Sequence, residues 1–263
     1  MPEPISLSRE RRGGLDVRVF EQARRLGVDA FVTTRAGGVS TGRYASLNLG
    51  DHVGDDRDRV RENRRRVARA AGVAASHLAI VTQVHGSGVA DLATPSDIEG
   101  AADALVTSSV DLALCVLVAD CVPVLVVDPR RERVAVVHAG WRGLVAGVVA
   151  ATLGRLAPLE DLHAFVGPSI SAERYQVGPE VAEHFVDVPG ALRADLGDRS
   201  LLDLSRVVEH RLVAGGVDAS RVWLCDERTD DVTTYFSDRA ERPCGRFALV
   251  ARRHLASTIV SGP

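Results

Sequence analysis

The chain has 263 residues, 46% of them hydrophobic, a net charge of −3 and a pI near 6.2. That is enough apolar sequence for one sizeable core, and the acidic balance argues against a nucleic-acid partner, which would call for a basic surplus. All 32 basic residues are arginine, which excludes a lysine Schiff base and a phosphate-loop lysine. Any phosphate or carboxylate must then be held by arginine, by backbone N–H groups or by a metal. Four scattered cysteines, Cys115, Cys121, Cys225 and Cys244, are too few for a disulfide framework.

The N-terminal "MPEPISLSRERRGG" has no apolar h-region, and the longest apolar stretch, Leu112–Val127, is interrupted by Asp120 and Pro123 and cannot span a bilayer as a helix. A cytoplasmic location without a membrane partner is expected, and no protein partner is predicted. Residues 1–14 are expected to be disordered. β-Branched runs predict strands at Asp16–Phe20, Phe31–Thr34, Leu78–Val84, Ala104–Thr107, Leu112–Val118, Val124–Val127, Arg133–His138, His163–Val166, Val222–Leu224 and Phe247–Ala251. Helical periodicity appears at Arg57–Ala71, Leu144–Leu156, Pro179–Val186 and Leu204–Ala214. The first of these helices is arginine-rich, and interspersed acids with Val60, Val67 and Ala71 on one face read as a solvated helix. The strands come in groups and are not separated one by one by helices. The expectation is an α+β fold: a single compact domain, residues 1–263, of mixed β-sheets flanked by helices.

"VPVLVVDPRRERVAVVHA" reads as a β-hairpin whose turn opens at Asp128-Pro129. If Asp128 pairs with Arg133, His138 falls opposite Pro123, and Cys121 lies one diagonal step from His138 on the same face. A thiol and an imidazole then meet at one end of the hairpin, with Asp120 and Arg142 close by. Three readings are open at this point. The histidine deprotonates a nucleophilic cysteine; or both residues bind a metal; or His138 is a satisfied core histidine. His85 in "TQVHGSGV", another histidine ending a β-like run, would complete a two-His, one-Cys set with a fourth position open, the layout of a catalytic zinc site.

"TTRAGGVSTGRYASLNLGDHVGDD", "TQVHGSGV", "ADALVT", "ADCVPVLVVDP", "VHAGWRGLVAG", "GPSIS" and "YQVGPEV" follow one another in this order. Together they resemble the YfiH/YlmD-type laccase-domain family, also described as purine nucleoside phosphorylases and as the peptidoglycan editing factor. The resemblance covers roughly Phe31 to Arg253 and implies one zinc per chain held by His85, Cys121 and His138, which are also the implied catalytic residues. The C-terminal match is looser. Cys225-Asp226 stands where the family commonly shows Cys-Thr, and Ala240 stands where an arginine is expected.

The resemblance implies phosphorolysis of adenosine, inosine, guanosine and methylthioadenosine to free base and ribose 1-phosphate, and an associated adenosine deaminase activity. A Cys121/His138 hydrolase or amidase acting on peptidoglycan precursors is the first alternative, and a non-catalytic structural zinc domain the second. Copper is not expected. A multicopper oxidase needs about ten histidines, commonly in His-x-His pairs, whereas the chain has eight, no such pair, and Met1 as its one methionine. The cytidine-deaminase signature, His-x-Glu with Pro-Cys-x-x-Cys, is also missing. Purine nucleosides and phosphate are the expected partners, with Arg35, Asn48 and Arg142 as their candidate contacts. Gly37 and Gly38 could form an anion nest. Asp120 could orient a histidine ligand from behind, Trp141 could stack on a purine or cover the hairpin end, and His52 could line the pocket.

Overall fold

Alternation inside the apolar runs decides the architecture. In the strand Val122–Asp128 every residue is buried, and its two faces enter different cores. Val124 and Val126 pack with the helices Val148–Leu156 and Leu204–Ala214. Leu125 and Val127 face a second sheet, against Val32, Leu114, Val116 and Leu249. The outer face of that second sheet, with Val17, Phe31, Cys115 and Val250, is covered by Val67 and Ala68 of the helix Arg57–Ala70. The computed structural model, which describes residues 4–254, thus stacks helix, sheet, sheet and helix. A strand buried on both faces reads as a continuous hydrophobic run, and each fully buried Val or Leu contributes roughly 1.5–3 kcal/mol of transfer free energy.

Each large sheet has six strands. One runs Ser8–Arg12, Leu15–Val19, Val28–Thr33, Phe247–Arg253, Ala113–Val118, Leu78–Ala79; the other runs Val222–Leu224, His163–Val166, Val122–Asp128, Arg133–Ala139, Ala104–Thr107, Val89–Asp91. Both mix parallel and antiparallel pairs. A small third sheet joins Gln176–Val177, Ser200–Leu202 and Leu192–Ala194. This is the expected α+β arrangement of mixed sheets flanked by helices. The hairpin register is also as expected: Asp128 pairs with Arg133 and Pro123 with His138.

Several elements differ from their sequence reading. Ser8–Arg12 is not disordered but pairs along its whole length with Leu15–Val19. The predicted helix Leu144–Leu156 is two helices, Trp141–Ala146 and Val148–Leu156, broken at Gly147 by a left-handed φ of 87° that glycine adopts without strain. The predicted strand Leu78–Val84 keeps only Leu78–Ala79, because Gln83 turns in and exchanges side-chain hydrogen bonds with both the N–H and the C=O of Leu117. Among the described residues no helix is long and apolar enough to cross a membrane.

The helix Arg57–Ala70 begins at Asp56, whose carboxylate accepts from the N–H groups of Asp58 and Arg59. Its fully buried Asn63 ties it to the preceding loop: the side chain accepts from Val39 N and donates to Ser40 Oγ and the carbonyls of Ser46 and Asn48. Asn63→Ala strands these groups without partners in a dry environment. It should lower stability by about 3 kcal/mol, read as a lower urea midpoint at unchanged m-value.

Candidate metal centre

Three segments meet at the end of the central hairpin. Cys121 directly precedes the strand Val122–Asp128, His138 is the penultimate residue of Arg133–Ala139, and His85 sits in the turn beyond Leu78–Ala79. Their ligand atoms all lie within 4.8 Å of one another. The two imidazoles meet edge to face, with centroids 4.7 Å apart and planes at 78°. His138 is buried, Cys121 half-buried and His85 exposed, so the cluster opens on the His85 side. Gly140 makes this approach possible. A Cβ there would stand 2.8 Å from Cys121 Sγ and 3.0 Å from His85 Cδ2, so the glycine of "HAGW" is required by space.

Asp103 organises the cluster. It is fully buried, and its carboxylate accepts from the N–H groups of Val84, His85 and Gly86 at 3.2, 2.9 and 2.7 Å. The same carboxylate meets His138 Nδ1 at 2.8 Å. These bonds hold His85 at a left-handed φ of 58° and leave Nε2 of His138 for the cluster. The sequence reading gave this orienting role to Asp120, and the structure corrects it. The Asp120 carboxylate instead accepts from Thr229 Oγ1 and Arg239 N, both at 2.7 Å, and so anchors the segment 229–239 beside the cluster. Asp103 lies inside "ADALVT", so its signal was present in the motif without a role attached.

The electrostatics follow from this packing. Burial alone would raise the Cys121 thiol, but His138, and then hydrogen bonds from His138 and His85, pull it down to about 6. Burial disfavours the His138 cation, yet Cys121 and Asp103 hold it up to about 9. Burial opposes ionisation of Asp103 as well, and the bonds from His138, Gly86 and Val84 still keep it below the usual carboxylate value. Burial raises Asp120. The other cysteines are pushed up by burial, Cys115 and Cys225 to about 12 and Cys244 to about 11.

A cavity of about 170 Å³ opens beside the cluster, lined also by His52, Gln83, Asp238, Arg242 and Arg246. Asp238 pairs with Arg246 at 3.0 Å and with Arg242 at 3.1 Å. His52 is thus at the cavity; Arg242, Arg246 and Asp238 come from the C-terminal segment in which the sequence marked the departure at Ala240 but no substrate contact. Of the three candidate substrate contacts, two are placed in supporting positions. Arg35 donates to the carbonyls of Ala45 and Val232 and to Glu241, and its guanidinium lies 4.5 Å from the Phe236 ring centroid, which makes it a loop clamp. Asn48 is fully buried; its amide serves Gly50, Asp55 and the N–H of Arg246, so it positions Arg246 from below. Arg142 is exposed, stacks on Trp141 at 4.3 Å, and has no ion pair among the described residues. Trp141 in turn stacks on His184. The Gly38 N–H is committed to Ser46 Oγ, and a Cβ there would meet Ser46 O at 2.0 Å, so close packing rather than an anion nest explains this glycine.

In metal-free protein, iodoacetamide should alkylate Cys121 first, because the other thiols are buried and sit at about 11 or 12. The thiolate persists on the alkaline side of its pKa, so the rate should hold from neutrality downward and fall as the pH passes through about 6; peptide mass spectrometry after timed quenching reads this. Asp103→Asn keeps the shape but removes the charge that orients His138. It should weaken metal binding at the cluster about 10–100-fold, measured with added zinc in competition with a chromophoric chelator.

Residues 29–254 match the model of the family described as multi-copper polyphenol oxidoreductase laccase. Purine nucleoside phosphorylase YfiH of Escherichia coli (strain K12) is 39% identical over 227 residues, which cover 84% of this chain and 92% of that protein. Purine nucleoside phosphorylase PA4543 of Pseudomonas aeruginosa is 40% identical over 228 residues, covering 84% and 91%. Among solved structures, YlmD from Geobacillus stearothermophilus superposes with a TM-score of 0.88 at 29% identity, covering 96% of this chain and all of that one. With the same fold, and with matches over most of both partners' lengths, the chain belongs to this YfiH-type, laccase-like family.

Proposed function

We propose that the protein is a zinc-dependent purine nucleoside phosphorylase acting on adenosine, inosine, guanosine and methylthioadenosine. The observation that carries this reading is the His85–Cys121–His138 cluster with Asp103 behind it, in a chain whose relatives at 39–40% identity are named purine nucleoside phosphorylases. The donor set fits zinc. Two imidazoles and one thiolate supply three tetrahedral positions, the exposed His85 side leaves a fourth, and the carboxylate on His138 Nδ1 is the usual outer partner of a metal-bound histidine. The lowered thiol leaves Cys121 ready to ligate, and the proton that the pair holds on His138 would be released when a metal binds.

Zinc bound here would supply Lewis-acid polarisation. The protein's own groups do the rest. Arg242 and Arg246, steadied by Asp238, and the exposed Arg142 offer guanidinium groups to phosphate. Asn48 and Asp103 fix the parts of the site that must not move. Phosphate oxygen attacks C1′, the bond from C1′ to the purine nitrogen breaks, and the proton of monohydrogen phosphate ends on the departing base. A second reading has support in the same geometry, since Cys121, His138 and Asp103 also form a nucleophile–base–orienter chain, which suits a hydrolase or amidase acting on peptidoglycan precursors. The third donor, His85, has no role in such a chain and favours the metal.

The test is chromatography of products from the four nucleosides, with and without phosphate, alongside metal analysis. About one zinc per chain is expected, with free base and ribose 1-phosphate formed only when phosphate is present. Cys121→Ala should lose both the zinc and the turnover while staying folded. Inosine formed from adenosine on the same chromatogram would report a deaminase activity. No free base from any of the four would overturn the proposal, and a zinc-free protein that is stoichiometrically acylated at Cys121 would establish the second reading.

A further inference from the structure

A second cavity, of about 480 Å³, shares no lining residue with the one at the metal centre. It lies along the N-terminal hairpin and the segments that carry Thr34, Ala36, Thr233 and Thr234. In the hairpin Arg9 pairs with Arg18 and Arg11 with Asp16, so three arginines and one aspartate project from the same face. Like charges directly opposite each other on paired strands repel, and here one of the two is buried.

Arg18 has a side chain only 9% exposed, and its Nε stands 3.2 Å from Glu227 Oε1. That approach is an ion contact without a hydrogen bond: Nε is a buried donor with no hydrogen-bond partner. Among the described residues neither Nη of Arg18 makes a hydrogen bond, and Arg9 and Arg11 have neither an ion pair nor a side-chain hydrogen bond. Glu227 is itself shared, its Oε2 accepting from Tyr235 Oη at 2.5 Å. Glu10, also at the cavity, is engaged by Arg12 and Arg24. Three arginines and the Asp16 carboxylate therefore line one polar space, and positive charge exceeds negative there. Among the described residues Arg18 is approached at Nε by Glu227 and no protein acceptor occupies its Nη groups, which leaves them for an oxyanion.

We propose that this cavity binds a small phosphate-bearing molecule, its phosphoryl oxygens held by Arg9, Arg11 and Arg18. Several forks around one space suit a dianion with three equivalent oxygens better than a planar carboxylate, which a single fork satisfies. Among the described residues no aromatic ring lines the cavity, so a base would find no ring there on which to stack. The rest of the ligand is small and polar, of the phosphorylated sugar or polyol class. The site is independent of the chemistry proposed for the metal centre.

Isothermal titration calorimetry of the full-length, zinc-loaded protein with glucose 6-phosphate tests this. Arg9→Gln/Arg11→Gln is the main variant, since both side chains are exposed and their loss does not threaten folding; Arg18→Gln is the second. One ligand per chain is expected, with affinity reduced about tenfold or more in the double variant and unchanged in Cys121→Ala. Glucose, lacking the phosphate, should not bind. Equal affinity in wild type and double variant, loss of binding in Cys121→Ala, or equal competition by potassium chloride at matched ionic strength would each overturn the proposal.

Discussion

The buried carboxylate of Asp103 is the constraint from which the rest of the candidate metal centre follows. Taking an ionised carboxylate out of water is costly unless every lone pair is used. Here three consecutive N–H groups and one imidazole use them. The result couples two segments that are far apart in sequence. The turn carrying His85 is folded around the carboxylate, and the end of the strand carrying His138 is pinned to Asp103 twice, since His138 N also donates to the main-chain carbonyl of Asp103 at 2.7 Å. A left-handed histidine costs on the order of 1–3 kcal/mol, and a turn wrapped around a buried anion is a setting in which that cost is offset. His85 and His138 therefore reach Cys121 with their directions already decided.

The layers explain why the cluster sits where it does. Strands buried on both faces have no side chains free for chemistry along their length. What remains available is their ends, where Cys121 enters one strand of the hairpin and His138 leaves the other. The hairpin turn at the far end is held separately, by Asp128 accepting from the N–H groups of Arg130 and Arg131. With the turn fixed at one end and the core packed on both faces, a one-residue slip would carry every Val and Leu of these strands to the wrong core. The separation of Cys121 from His138 is thus set by the packing of the whole sandwich.

What was legible in the sequence follows from the range of each interaction. The hairpin and its register could be derived because turn chemistry and alternation are local, and they bring Cys121 to His138 without reference to the rest of the chain. The choice between Asp120 and Asp103 could not be made that way. Asp120 is the neighbour of Cys121 in sequence, whereas Asp103 reaches His138 through a third strand, Ala104–Thr107, whose pairing with Arg133–Ala139 is long-range. Arg35 and Asn48 mislead for a related reason. Both sit in a motif rich in functional residue types, but their partners, Val232, Glu241 and Arg246, come from the other end of the chain. A polar residue in a distinctive motif can serve a loop as readily as a ligand, and only the tertiary partners distinguish the two. The N-terminal arginines illustrate the converse: expected to lie in a disordered segment, Arg9, Arg11 and Arg12 sit in an edge strand of a six-stranded sheet.

The geometry alone shows how closely a metal centre and a thiol protease-like arrangement can coincide. Cys121, His138 and Asp103 satisfy the distance relations of a nucleophile, a base and an orienting carboxylate, and the depressed thiol and raised imidazole are what such a pair would show. The same two shifts arise whenever a thiol and an imidazole are held together to receive a cation, because the ion pair stands in for the charge that the cation would bring. The discriminating feature is the third donor. A nucleophile needs open space on the face from which substrate approaches, whereas here a second imidazole is driven to that face by a strained backbone and by three hydrogen bonds to its own turn. Gly140 strengthens the point. The chain omits a side chain at the one position where a Cβ would separate the thiol from His85. Close approach of both histidines to one sulfur has a physical rationale in shared coordination, and a hydrolytic pair supplies none for His85.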